Sequence, residues 1–282
     1  MNIEKVSFIS DGLRIAGQIF YPEHYSANKK YPALLFEGPM TGLKDQVVEI
    51  YAKKLANLGY LTLTFDHRYY GESEGEPRQL EAPAKKVEDL QNAVSYLLTR
   101  EDVDADRLGA VGICAGGGFM SKTAALDQRI KSLVTVAGFY HDPKVVRAWL
   151  GEEGYQHKIE LSKQAQEKYE QTGEVVYIPS VSSDSNETEV AMPGDEPYAY
   201  YGTDRGVSPH YINRFAVMSF EEFLHLNSLD FAGQIHWLFM VHKICIAPLK
   251  VLNNFSIIYP PPKPSSGLKP RTISIYMIKI SM

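Results

Sequence analysis

LGAVGICAGGGFM, residues 108–120, is the stretch of sequence that decides the fold. Its first six residues predict a buried strand, and the apolar spacing from Phe119 to Leu126 predicts a helix. Between the two lies a cysteine, Cys114, with Gly112 and Gly116 on either side. A nucleophile on a sharp strand-to-helix turn needs such glycines, because Cβ atoms would collide where the chain reverses. The stretch therefore predicts a nucleophile elbow.

The chemistry of such an elbow depends on how its cysteine is exposed. At this turn the sulfur of Cys114 would point up from the sheet, and the N–H of Ala115 would face an oxyanion developing on a substrate carbonyl. The positive end of the following helix would favour thiolate over thiol. The alternative is a small buried residue, which is what most free cysteines are. The strand before and the helix after it favour the nucleophile.

Composition is that of an enzyme-sized globular chain. The 282 residues are 44% hydrophobic and carry a net charge of -5, which fits one large α/β domain and argues against binding nucleic acid. Two cysteines, Cys114 and Cys245, provide no disulfide framework, as is typical of the cytoplasm. We expect no signal peptide and no membrane span. Without a His, Cys or carboxylate cluster at ligand spacing, we expect neither metal nor cofactor.

Strands and helices alternate along the first 140 residues. The pattern predicts an antiparallel hairpin, three further strands and two helices around the elbow: Val6–Ser10 with Leu13–Tyr21; Tyr31–Phe36, Leu61–Phe65 and Ile130–Ala137; Gln46–Leu58 and Pro83–Leu98. This alternation is typical of a mostly parallel sheet with helices on both faces, joined by right-handed connections.

Two loops follow predicted strands at the same edge of the sheet as the elbow. In the first, Glu37 to Gly42, the N–H of Met40 or Thr41 would be a second donor to an oxyanion, although the loop also reads as a glycine-rich turn.

The second loop runs from Asp66 to Ser73 as Asp-His-Arg-Tyr-Tyr-Gly-Glu-Ser. We interpret Asp66 and Arg68 as residues that stabilise this loop. His67 is interpreted as a hydrogen-bonding partner within the loop, with a general base as the alternative, because only geometry identifies a histidine as a base.

With these residues in view, the chain resembles an α/β-hydrolase over about residues 15–235. The second loop resembles the D-x-R-G-x-G-x-S loop of that superfamily. Residues 38–46, Gly-Pro-Met-Thr-Gly-Leu-Lys-Asp-Gln, resemble dienelactone-hydrolase-like and fermentation-respiration-switch-like esterases. The resemblance implies an eight-stranded sheet, a Ser or Cys nucleophile, an acid after a late strand and a histidine after the last strand. By position, Cys114 would be the nucleophile, and Ala115 and Met40 the oxyanion donors.

What those relatives act on sets the expected reaction. Their substrates are esters, lactones or thioesters, and in some branches the acyl group passes to an acceptor other than water. The resemblance therefore implies a small-molecule acyl substrate. We expect an acyl hydrolase, with an acyltransferase, or a non-catalytic scaffold of the same fold, as the alternatives.

The long segment after the sixth strand predicts a lid. We divide the chain into an α/β-hydrolase core, a lid insertion, a return helix of the core and an atypical tail: residues 1–140, 141–215, 216–235 and 236–282. Within the lid we expect a polar helix, a loop and an aromatic cluster: Ile159–Tyr169, Ser180–Asn186, and Tyr198 with Tyr200 and Tyr201. Long connections of this kind commonly cover active sites. The tyrosines would either stack on a substrate or pack the lid onto the core.

The acid and the histidine of a catalytic triad are not identified by the sequence. Asp142 follows the sixth strand, where an acid can lie, yet an aspartate before proline is also a common turn or cap residue. The candidate bases are His141, His225, His236 and His242. Any of them would have to lie within about 3 Å of the Cys114 sulfur, and the sequence selects none.

The end of the chain departs from the hydrolase pattern. No acidic residue follows Asp230, whereas six lysines or arginines do, and Pro260 to Pro264 cannot lie inside a strand or helix. We therefore expect the last strands to be missing or irregular. A change of reading frame near His236 would explain both the altered composition and the missing triad partners, and the DNA beyond that codon, read in another frame, tests it.

Overall fold

The computed structural model describes residues 1–230, 232–235 and 238–241. Its strands are β1 (Ile3–Ser10), β2 (Leu13–Phe20), β3 (Tyr31–Glu37), β4 (Leu61–Phe65), β5 (Val103–Ile113), β6 (Ser132–Val136), β7 (Tyr177–Ile178), β8 (Phe215–Ala216) and β9 (Leu238–Val241). Its α-helices are α1 (Val47–Ala56), α2 (Pro83–Leu98), α3 (Gly116–Leu126), α4 (Pro143–Thr172), α5 (Asp195–Tyr201) and α6 (Phe220–His225). Every strand and helix predicted in the first 140 residues is present.

Seven strands form the main sheet, in the order β1-β2-β4-β3-β5-β6-β9. The hairpin β1-β2 joins β4 in antiparallel fashion, and the pairs from β4 to β9 are all parallel. This confirms the predicted mostly parallel sheet. Because parallel strands end at one edge, the loops after β3 and β4 and the elbow after β5 lie side by side there.

Helices cover both faces of this sheet, and side-chain alternation along the strands decides which residues face which helix. On one face, Leu35 of β3 and Leu108 of β5 pack with buried residues of α2 and α3. On the other face, Phe36 of β3 and Val111 of β5 pack with α1. Their side chains point the opposite way from those of Leu35 and Leu108.

The lid begins with a longer helix than predicted. The polar pattern at Ile159–Tyr169 lies within α4, which starts at Pro143 because the Asp142 side chain accepts the N–H of Lys144 and so caps the first turn. Gly151, at φ +72°, breaks α4 near its beginning. The predicted loop from Ser180 has no helix or strand up to α5.

The segment after the lid returns to the sheet in short pieces. In place of one return helix over residues 216–235, the chain forms the six-residue α6 and two 3₁₀ turns, Val217–Ser219 and Ala232–Gln234. Strand β9 then pairs in parallel with β6, within the region assigned to the atypical tail. His236, His242, Cys245 and the proline-rich stretch lie outside the described residues. No helix of the described part is long and apolar enough to cross a membrane.

Candidate active site

The backbone around Cys114 forms the sharp turn predicted from the sequence, and steric contacts require a glycine on each side of it. Cys114 has φ +55°, a left-handed conformation that residues with a side chain rarely adopt. A Cβ on Gly112 would lie 2.4 Å from the carbonyl oxygen of Gly116. A Cβ on Gly116 would lie equally close, 2.4 Å, to the carbonyl oxygen of Gly38 in the neighbouring loop. Both glycines are therefore required for the reversal from β5 into α3.

Contacts with the end of β6 hold Cys114 in place. The N–H of Cys114 donates to the carbonyl of Val136 at 3.1 Å, and its own carbonyl accepts the N–H of Phe139 at 2.7 Å. A Cβ on Gly117 would lie 2.8 Å from the Cα of Gly138, so the first turn of α3 presses directly against that backbone. The position of Cys114 is thus fixed from two strands.

Burial, and not the helix end, dominates the acidity of the Cys114 thiol. Burial raises its pKa above the ordinary value, and the N–H of Ala115 opposes this by favouring the thiolate. The net direction is upward, which corrects the expectation that the helix end would make this site favour thiolate. At neutral pH the group is a thiol.

In the loop after β3, the N–H groups of Met40 and Thr41 differ in whether another group already accepts their hydrogen bond. The Thr41 N–H lies 3.4 Å from the carboxylate of Glu81, and Thr41 itself is buried at φ +60°. In the part of the chain that the structure describes, no acceptor bonds the N–H of Met40. Of the two oxyanion donors that the sequence left open, the geometry favours Met40.

Beneath this loop lies a buried group of charged residues, of which the sequence singled out only His67, and its hydrogen bonds go to residues outside its own loop. His67 lies between two carboxylates, bonded to Glu37 and, at 3.1 Å, to Asp89. Lys86 contacts Glu81 at 2.7 Å and Glu37 at 3.8 Å. Burial alone would lower the pKa of His67, but Glu37 and Asp89 raise it above the ordinary value. All five side chains are almost fully buried.

The contacts of the loop after β4 agree with the stabilising roles expected from the sequence. Asp66 accepts from the ammonium of Lys44 at 2.6 Å and from the N–H of Glu72 at 2.9 Å. Arg68 donates twice to Asp89, at 2.6 and 2.8 Å. Burial opposes ionisation of Asp89, but its hydrogen bonds lower its pKa to about 2. The sequence feature that could have revealed this cluster is a pair of charged residues, Lys86 and Asp89, on the apolar side of α2.

The described triad candidates do not assemble with Cys114. Asp142 is the cap of α4, as described above. His141 is fully buried among the rings of Phe119, Phe139 and Phe223, and burial lowers its pKa to about 4. His225 is exposed at the end of α6. Over the described residues no histidine hydrogen-bonds the sulfur of Cys114.

The lid is bonded to the segment between α1 and residues 37–42, the loop expected to bind an oxyanion, which we call the oxyanion loop. The side chain of Gln46 donates to the carbonyl of Gly206 at 2.7 Å, and the Ser208 hydroxyl donates to Asp45 at 2.9 Å. The predicted tyrosine cluster lies at this junction, where the hydroxyl of Tyr201 is 3.4 Å from the position of a Cβ on Gly42. The lid therefore covers the loop that would bind an oxyanion.

Several known proteins are similar to this chain. Uncharacterized protein YcjY of Escherichia coli K12 is 41% identical over 136 residues, which are 47% of this chain and 44% of that protein. Uncharacterized protein PA2218 of Pseudomonas aeruginosa is 30% identical over 74% of this chain and 57% of its own length. The crystal structure of PA2218 superposes with a TM-score of 0.74, 26% identity and coverage of 85% of this chain and 77% of that chain.

Two similar fungal proteins have names that state an activity. Thiohydrolase aneE of Aspergillus aculeatus is 33% identical over 47% of this chain and 40% of its own length. Polyketide transferase claH of Penicillium crustosum is 32% identical over 48% of this chain and 44% of its own length. The chain thus spans about half the length of the curated relatives it matches. Residues 32–241 match the family model described as alpha/beta hydrolase fold, and the chain belongs to that family.

Proposed function

We propose that this protein is an acyl hydrolase that cleaves esters, lactones or thioesters through Cys114. The observation that carries the proposal is the left-handed backbone of Cys114 between two glycines that sterics require. A conformation of this kind costs about 1 to 3 kcal/mol and persists mainly where function needs it. A cysteine that merely filled space would not need this turn.

The proposed reaction has two halves. In the first, the Cys114 sulfur adds to the substrate carbonyl, and the carbonyl electron pair moves onto oxygen, where the N–H groups of Ala115 and Met40 stabilise it. The pair then returns, the bond to the leaving group breaks, and the thiol proton leaves with that group. In the second half water attacks the thioester, releasing a carboxylic acid and regenerating the thiol.

Membership of the family supports a hydrolase or an acyltransferase, and the names of two relatives agree with acyl chemistry. One relative is called a thiohydrolase and another a polyketide transferase. The same covalent intermediate serves both activities, because only the acceptor in the second half differs. An acyltransferase is therefore the second candidate.

A non-catalytic scaffold is the competing class, and one observation favours it. Burial raises the pKa of the thiol, and within the described ranges no histidine bonds the sulfur. A cysteine depends on its base less than a serine does, because a small fraction ionises without help. We therefore expect slow turnover that accelerates with pH.

The test is hydrolysis of p-nitrophenyl butyrate and of an acyl thioester by the full chain. We expect activity that rises with pH, an acylated Cys114 in intact-mass and peptide mapping, and complete loss in Cys114→Ala. Cys245→Ala serves as the matched control and keeps the wild-type rate. Equal hydrolysis by wild type and Cys114→Ala would refute the nucleophile, and an added alcohol or amine acceptor distinguishes transfer from hydrolysis.

A further inference from the structure

One side chain of the lid, Tyr201, lies over the oxyanion loop with a hydroxyl that no described residue bonds. The hydroxyl oxygen is buried from solvent and has no hydrogen-bond partner in the described part of the chain. A buried polar group without a partner costs about 1 to 3 kcal/mol. A buried polar group without a partner therefore indicates that its partner is absent from the structure. A substrate bound at the neighbouring site would supply that partner.

The ring of Tyr201 is held so that its hydroxyl cannot easily turn elsewhere. It stacks on Tyr211 with centroids 5.3 Å apart and meets the edge of Tyr200 at 4.8 Å. Its hydroxyl reaches the loop at Gly42, two residues after Met40, 3.4 Å from where a Cβ would stand. A rigid donor at this place is organised before substrate arrives.

The charge state of Tyr201 suits a donor. Burial raises the pKa of its hydroxyl well above the ordinary value, and the nearby sulfur of Cys114, when charged, raises it further. The hydroxyl therefore keeps its proton at neutral pH, and it lies close enough to the sulfur for their charges to interact.

The neighbouring tyrosines differ from Tyr201 in ways that leave it as the donor. Tyr200 is itself buried, but its hydroxyl is not among the buried oxygens without partners. The hydroxyl of Tyr211 is also buried without a partner, but it lies near those of Thr41 and Ser180, which lower its pKa against the effect of burial. Tyr201 differs from Tyr211 in packing against the same buried cluster as Cys114 and in responding to the charge of that sulfur.

We propose that Tyr201 is a catalytic residue whose hydroxyl donates a hydrogen bond to the oxygen of the substrate carbonyl as Cys114 adds to it. This rests on the proposed acyl chemistry of Cys114 and adds a third donor, supplied by the lid, to the two backbone N–H groups. No proton is transferred. The bond strengthens as charge develops on oxygen and weakens when the carbonyl re-forms.

Tyr201→Phe is the test, with Tyr200→Phe as the matched control. We expect Tyr201→Phe to lower kcat for p-nitrophenyl butyrate by about 100- to 1000-fold with KM little changed, as for the loss of one oxyanion donor. The variant should resist urea at least as well as wild type, because it removes an unpartnered buried hydroxyl. Tyr200→Phe should retain the wild-type kcat.

Binding of a trifluoromethyl ketone gives a readout that does not require turnover. Cys114 adds to this compound and forms a tetrahedral adduct, which ¹⁹F NMR detects. We expect its Kd to rise in Tyr201→Phe by about the same factor as kcat falls. Equal adduct formation in wild type and Tyr201→Phe would overturn the role of Tyr201 while leaving Cys114 as the nucleophile. If wild type forms no adduct, both the proposed function and the role of Tyr201 are overturned.

Discussion

The elbow and the lid are positioned by different kinds of contact. The elbow is fixed by backbone atoms that a single Cβ would strike, in the turn itself, in the loop after β3 and at the end of β6. The lid is held by apolar packing of α4 against the core and by polar bonds to a distant segment. Gln46 donates to the carbonyl of Gly206 in the lid at 2.7 Å, and the Ser208 hydroxyl donates to Asp45 at 2.9 Å. The elbow thus depends on close backbone contact, and its cover on side-chain bonds between residues about 160 apart.

The strongest test of this difference compares one glycine from each region. Gly116→Ala should cost more than about 4 kcal/mol or prevent folding, because its Cβ meets backbone that cannot move away. Gly173→Ala, after α4, should cost about 1 to 2 kcal/mol, since it has φ +73° but open space around it. Urea denaturation measures both. Similar losses would contradict the steric account of the elbow.

The buried charges beneath the oxyanion loop predict the next largest effect. Lys86→Met leaves Glu81 and Glu37 without their cation and should cost about 3 to 5 kcal/mol. The adjacent Lys85 makes only exposed ion pairs, with Asp11 and Glu88, so Lys85→Met should cost less than about 1 kcal/mol. Denaturation of both at pH 7 gives the comparison, and equal stabilities would show that the network contributes nothing.

A pH effect is expected where the lid begins, at His141. Its pKa is about 4 in the folded protein and near 6.5 in the unfolded chain, so the unfolded chain binds the proton more tightly between those values. Folding stability is therefore complete above pH 6.5 and falls as the pH approaches 4.

Replacing the ionisable ring tests this dependence. Relative to His141→Phe, wild type should lose about 2.5 kcal/mol between pH 7 and pH 4.5, measured by urea denaturation at both values. The free-energy difference between the two proteins, followed across the range, isolates His141 from other titrating groups. A constant difference would mean that His141 is not buried as described.

The smallest effect concerns the exposed part of the lid. Residues 183–188 are exposed and lie outside helices and strands, whereas Ser180 is buried and bonded to Arg214. Limited proteolysis should cut first within 183–188, with little change in stability, because exposed loop tips are preferred cleavage sites. Fragment masses identify the cut. First cleavage between Leu13 and Val136 would contradict the placement of the lid.

What the sequence could predict follows the same division. Apolar periodicity and the glycines around Cys114 were enough for the sheet, α2 and the elbow. The roles of Glu81 and Lys86 could not be found in this way, because periodicity reports which side of a helix is buried and not which charges meet there. Tyr201 was one of three candidate tyrosines, and only the packing of α5 onto the oxyanion loop separates it from Tyr200.

The crowded backbone where α3 meets the end of β6 has a consequence for redesign. A Cβ on Gly118 would lie 2.7 Å from the carbonyl of Phe139, and Gly138 touches Gly117 in the same place. The backbone where the lid begins and the backbone that positions Cys114 are therefore in direct contact. A lid transplanted from another protein would have to be joined after Asp142. A graft that replaces residues 138–141 would remove the backbone that packs against α3 and positions the Cys114 sulfur.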